Sequence, residues 1–158
     1  MRAFVALGSN LGERRAHLEA GLAALAALGP LRASPLVVET PDESGRGPDY
    51  LNTAALLETP GKDPRRLLEE LLRIELGLGR DRGLGRNAPR TLDLDLIAAQ
   101  DWAGAWRWPA PADLSALGAE LSLELPHPRA AGRAFVTEPV LALIQVLPGG
   151  AEPWMRLG

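Results

Sequence analysis

Residues 91–98 read Thr-Leu-Asp-Leu-Asp-Leu-Ile-Ala, and this alternation constrains the fold more than any other stretch of the chain. On a strand, successive side chains point to opposite faces. Leu92, Leu94 and Leu96 therefore enter a core, while Asp93 and Asp95 share the other face, roughly 7 Å apart. Helical geometry would scatter both sets around the axis, so the chain must hold a sheet with an apolar face here.

The rest of the chain supplies partners for that strand. A first strand spans Ala3–Leu7 and is broken by Gly8-Ser9-Asn10-Leu11-Gly12. A helix follows from Glu13 to Leu28, with Leu18, Leu22, Leu25 and Leu28 on one stripe, and Gly29-Pro30 stops it. Leu31–Thr40 and Tyr50–Glu58 read as paired strands around the polar loop 41–49. Asp63 caps a second helix with Pro64 at its first position, and Gly77 and Gly79 end it. Asp101–Leu125 carries Trp102, Trp106 and Trp108 and reads as a short hairpin followed by a loop. A last helix is expected over Glu138–Val146. The order β-α-β-β-α-β plus a C-terminal addition predicts an α+β ferredoxin-like sandwich, an antiparallel sheet with helices on one face. At 158 residues, 1–158 is expected to form a single domain. Many functions share that architecture, so chemistry must be read from particular residues.

Composition removes several chemistries. With no cysteine, thiol catalysis, Cys-ligated zinc and iron–sulfur clusters are excluded. A net charge of −3 argues against a nucleic-acid partner. The apolar runs Ala3–Leu7 and Gly21–Leu31 are too short for a leader or a membrane span, so a cytoplasmic protein, expected to be monomeric, is predicted.

Three constellations remain. Asp93 and Asp95 are hard oxygen donors side by side, suited to Mg2+ that also takes substrate phosphates. Alone, such a pair could equally be a solvated strand face. The Gly-rich stretch before it carries Arg80, Arg82, Arg86 and Arg90, the cationic company that phosphoryl transfer needs. Neither a Walker A pattern nor a GxGxxG fingerprint occurs. The second constellation is His127 between Pro126 and Pro128, with Arg129 and Arg133 following. The third gathers Thr40-Pro41, Tyr50, Asn52 and Phe135. Asn52 can both donate and accept at a heterocycle edge, and the two aromatics could sandwich a flat ring. Taken together these residues reach as far as a magnesium-dependent phosphoryl-transfer enzyme.

The chain resembles the 6-hydroxymethyl-7,8-dihydropterin pyrophosphokinase family of the folate pathway. The resemblance runs through Ala6-Leu7-Gly8-Ser9-Asn10-Leu11-Gly12, Pro48-Asp49-Tyr50-Leu51-Asn52, Arg73-Ile74-Glu75 with Gly79-Arg80, Pro89-Arg90-Thr91-Leu92-Asp93-Leu94-Asp95, and Pro126-His127-Pro128-Arg129 with Arg133 and Phe135. It implies transfer of pyrophosphate from ATP to the pterin hydroxymethyl group, releasing AMP. It implies that Asp93 and Asp95 hold two Mg2+ ions and that Arg80 and Arg90 clamp the transferring phosphates. Glu75, Arg82, Ile97, His127 and Arg133 would serve ATP. Thr40, Pro41, Tyr50, Asn52 and Phe135 would serve the pterin. The sequence departs from the family pattern at Asn87 and Pro128, where aromatics are common. A phosphotransferase of the same fold with another acceptor, or a non-catalytic ferredoxin-like binding module, are the alternatives.

Overall fold

The alternating run forms β5 (Asp93–Ala99), an edge strand of a five-stranded antiparallel sheet. The computed structural model describes residues 1–79 and 91–157. The central strand, β1 (Arg2–Ser9), pairs with β5 on one side and with β4 (Tyr50–Glu58) on the other. On the far side of β4 lie two short strands, β2 (Leu31–Ala33) and β3 (Val38–Thr40). Counted as the halves of one strand, they complete the order expected for a ferredoxin-like sheet.

The single strand expected over Leu31–Thr40 is thus interrupted. Pro35 has no N–H to give a ladder. The chain there is held by side chains instead. The Ser34 hydroxyl donates to the Pro139 carbonyl at 2.6 Å, and Thr53 Oγ1 donates to the Leu36 carbonyl at 3.0 Å.

Period-two alternation along β1 decides both faces. Ala3, Val5 and Leu7 face a core closed by α1 (Arg14–Ala26) and α2 (Pro64–Gly77), through Leu18, Leu25, Leu67 and Leu71. Both helices of the ferredoxin-like unit therefore lie on one face. Asp63 caps α2 as expected, its side chain accepting the Arg65 N–H at 2.9 Å. Phe4 and Ala6 face the opposite way, with Ala54, Leu56 and Ile97. There the C-terminal addition covers them: α3 (Ala134–Val146) through Val136, Val140 and Leu143, and Met155 beyond it. The α3 helix begins four residues before the expected Glu138 and runs through Pro139. Burial of its apolar stripe outweighs the backbone bond that proline forfeits.

Residues 101–125 form a complete hairpin rather than a short one followed by a loop. The strands β6 (Gly104–Pro109) and β7 (Glu120–Leu125) pair throughout, and a 3-10 helix over Ala112–Leu117 connects them. Trp102 and Trp106 meet edge to face at 5.6 Å and, with Trp108, pack against the α1–α2 core. Trp108 Nε1 donates to the buried Glu69 carboxylate at 3.0 Å, and Arg73 pairs with Asp113 at 2.7 Å. Both contacts fasten the hairpin to α2. Among the described residues no helix is long and apolar enough to cross a membrane.

Two glycines give a test of this packing. A Cβ at Gly29 would fall 1.9 Å from the Glu58 carbonyl oxygen, whereas one at Gly77 in α2 would meet nothing within 4 Å. Gly29→Ala is expected to destabilise by about 2–3 kcal/mol. Gly77→Ala is expected to stabilise by about 0.5–1 kcal/mol. Urea denaturation of both variants checks the opposite signs.

Candidate active site

Helix α3 covers only part of its sheet face, and the uncovered end is polar. Register puts Gly8 of β1 between Asn52 and Asp93, and Ala6 between Ala54 and Asp95. Tyr50, Asn52, Asp93 and Asp95 therefore share one face by strand alternation. The small central residues keep its floor low. An open cleft of about 520 Å³ results. A Cβ at Gly8 would stand 3.1 Å from Asn52 Oδ1 and 3.3 Å from the Tyr50 ring, so glycine sets the floor height. The Asn52 amide donates through Nδ2 to the Val38 carbonyl at 3.4 Å, which turns Oδ1 toward that floor.

One wall is the end of β3 and the turn after it, Thr40 to Ser44. The turn is capped from within, since the Ser44 N–H and hydroxyl both donate to the Asp42 carboxylate. Its far end is tied down separately. Asn10 Nδ2 donates to the Pro48 carbonyl at 3.2 Å, and Arg14 to the Asp49 carbonyl at 2.8 Å. Gly8 and Ser9, expected in the break after the first strand, instead complete β1, and Asn10 and Arg14 beyond them brace the cleft.

The opposite wall follows a cis Leu125–Pro126 bond and contains His127, Pro128, Arg129, Arg133 and Phe135. His127 donates its N–H to the Ile97 carbonyl at 2.8 Å, tying this segment to β5. Its Nδ1 accepts the Arg129 N–H at 3.2 Å, so the neutral ring carries its proton on Nε2. Burial first, and then the positive charges of Arg133 and Arg129, hold the His127 pKa below its ordinary value. At neutral pH the ring is a hydrogen-bond donor, not a cation. Arg133 pairs with Glu43 at 3.1 Å across the cleft and lies 5.5 Å above the Phe135 ring.

Glu75 enters from the other side of the sheet. It is buried at the end of the Leu67–Leu71 stripe of α2 and accepts the Leu94 N–H of the β5 edge at 3.3 Å. Asp93 and Asp95 are half-buried on the cleft face of β5. Among the described residues, no group of three or more His, Asp or Glu comes together as a ready metal cage. The donor set is two carboxylates, which suits a hard cation that completes its shell with water and substrate oxygens.

Of the residues singled out in the sequence, Thr40, Pro41, Tyr50, Asn52, Glu75, Asp93, Asp95, His127, Arg133 and Phe135 line one cleft. Ile97 does not line it. Alternation aims its side chain to the same face, but α3 covers it and leaves it 1% exposed. Arg80, Arg82, Arg86 and Arg90 lie outside the described residues. Gly8, Asp42 and Glu43 were missed as lining residues. Strand parity with Phe4 and Ala6 would have revealed Gly8, whereas an exposed turn carries no periodic signal for Asp42 or Glu43.

Fold and cleft define an α+β ferredoxin-like protein with paired carboxylates facing a histidine–arginine wall over an open sheet. The chain belongs to the 7,8-dihydro-6-hydroxymethylpterin-pyrophosphokinase family, whose model matches residues 4–145. It is similar to the 2-amino-4-hydroxy-6-hydroxymethyldihydropteridine pyrophosphokinase of Pseudomonas aeruginosa, 37% identical over 145 residues, covering 90% of this chain and 80% of the relative. Enzymes of the same name from Mycobacterium bovis and Bacillus subtilis are 35% and 32% identical. Each match covers 90% of this chain, with 72% and 78% of the respective relatives. The activity that goes with this membership is pyrophosphoryl transfer from ATP to hydroxymethyldihydropterin, a step of folate biosynthesis.

The His127 environment predicts an NMR titration midpoint below 6.5, and Arg133→Ala should raise it by removing a positive neighbour. A midpoint at or above 6.5 in the unmodified protein contradicts this account. The unfolded ring takes up a proton first, so His127 subtracts stability as pH falls through about 6.5.

Proposed function

We propose that the two substrates lie side by side over β1, the pterin above Asn52 and Tyr50 and the ATP phosphates toward Asp93 and Asp95. The observation that carries this reading is the register that sets Gly8 between Asn52 and Asp93. Two strand spacings separate those side chains, roughly 10 Å, a span fit for an acceptor ring beside a polyphosphate. On the pterin side, Asn52 matches an amide-like ring edge, Thr40 and Pro41 border it, and Tyr50 and Phe135 supply aromatic faces.

On the phosphate side, Asp93 and Asp95 would hold the two Mg2+ ions. Among the described residues five carboxylates line the cleft against two arginines, so an ATP polyphosphate needs added cations there. Bound at these carboxylates, magnesium would neutralise phosphate charge as it redistributes. Arg80, Arg82 and Arg90 are the sequence candidates for the remaining charge. His127 serves as a neutral donor to a phosphate oxygen, and Arg133 as its cationic partner. Glu75 fixes the β5 edge beneath the nucleotide, and Ile97 supports that region from within the core.

In the reaction the pterin hydroxyl oxygen forms a bond to the β-phosphorus. The bond from that phosphorus to the bridging oxygen of the α-phosphate breaks, AMP departs, and the hydroxyl proton passes to solvent. A loose transition state asks little of a general base, so positioning carries most of the acceleration. One sheet carries both the pterin side and the phosphate side of the cleft, in keeping with a single pyrophosphokinase domain over 1–158. ATP as donor supports a cytoplasmic setting.

Phosphorus NMR with ATP, Mg2+ and reduced hydroxymethylpterin is expected to give AMP and a pterin diphosphate; ADP with a monophosphate would overturn the reading. Asp93→Ala and Asp95→Ala should each lower kcat by about 10²–10³-fold or more with the fold intact. Near-normal kcat in either would remove the metal assignment. Asn52→Ala should raise KM for the pterin by about 10–100-fold, through loss of paired hydrogen bonds, while KM for ATP changes little.

A further inference from the structure

We propose that Glu43 competes with nucleotide phosphate for Arg133. The proposal rests on the reading of Arg133 as a phosphate contact and adds a residue that the family motifs in this sequence do not include.

The ion pair between them, Arg133 Nη2 to Glu43 Oε2 at 3.1 Å, crosses the mouth of the cleft. Its two ends are unequal. Arg133 is the fixed partner, with a side chain 23% exposed, seated over the Phe135 ring at the N-terminal boundary of α3. Glu43 is the loose partner, 60% exposed, and it makes no other ion pair among the described residues. The turn that carries it does not depend on that contact. The Asp42 carboxylate caps the turn from inside, and Asn10 and Arg14 hold the 48–49 end. Glu43 can therefore let go of Arg133 while the wall it stands on stays in place.

A carboxylate and a phosphate present similar oxygens to a guanidinium, but the phosphate carries more charge and accepts more hydrogen bonds. An exposed single-contact ion pair is weak. Nucleotide phosphate would thus win Arg133, and the affinity seen would be lowered by the contact it must break.

The test is calorimetric titration of a non-hydrolysable ATP analogue with Mg2+ into the unmodified enzyme, Glu43→Gln, Arg133→Ala and the double variant. Glu43→Gln is expected to bind the analogue about two- to fivefold more tightly, the range of an exposed ion pair. Arg133→Ala should bind it more weakly, and Glu43→Gln should add nothing in that background. Equal tightening with and without Arg133 would mean that Glu43 acts only as a diffuse negative charge, overturning direct competition. No tightening in Glu43→Gln, with Arg133→Ala still weakened, overturns the competition and leaves Arg133 as a phosphate contact. Unchanged affinity in Arg133→Ala removes the phosphate reading itself, and the proposal with it.

Discussion

β1 is bonded on both edges, to β4 and to β5, and the register of those two pairings is the constraint on which everything else depends. Side-chain period is two, so a slip of one residue in β1 would turn Leu7 into the cleft and Gly8 into the core. The apolar core on the α1–α2 face penalises that slip strongly, since Val5 and Leu7 are buried there and have nowhere else to go. Core packing on one side of the sheet thereby aligns polar residues on the other. Asn52 and Asp93 are far apart in the sequence, and each is paired with the backbone of Gly8.

Legibility in the sequence followed the strength of the local pattern. β4 and α2 match their expected bounds because each has punctuation at its ends: Asp63-Pro64 and Gly77 for the helix, and a polar loop before Tyr50 for the strand. The Asp93–Asp95 pair was visible because alternation needs no partner to be recognised. The break between β2 and β3 was hidden because Val37 and Val38 extend an apolar run past Pro35, and the contacts that hold the break come from Pro139 and Thr53. Likewise the early start of α3 depends on burial against Phe4, Ala54 and Ile97, which no local signal announces. Ile97 shows the same limit in the site. Its parity is that of Asp95, yet α3 covers it. Where one element ends over another is a property of the tertiary arrangement.

Electrostatically, the cleft divides its charges by flexibility of attachment. Asp93 and Asp95 stand on a strand, and Glu75 is locked by a backbone amide. Glu43 stands on an exposed turn. His127 occupies an intermediate position, kept uncharged by partial burial and by the arginines near it, so it adds direction without adding charge.

The tryptophan hairpin gives α2 an external mount. Glu69 receives Trp108, Arg73 is gripped by Asp113 and Glu70, and two residues farther on Glu75 supports the cleft edge of β5. In fewer than two turns, one helix thus joins the hairpin to the strand that bears the cleft's carboxylates. The β6–β7 arm therefore steadies the helix whose Glu75 holds the Leu94 N–H, the amide that lies between Asp93 and Asp95.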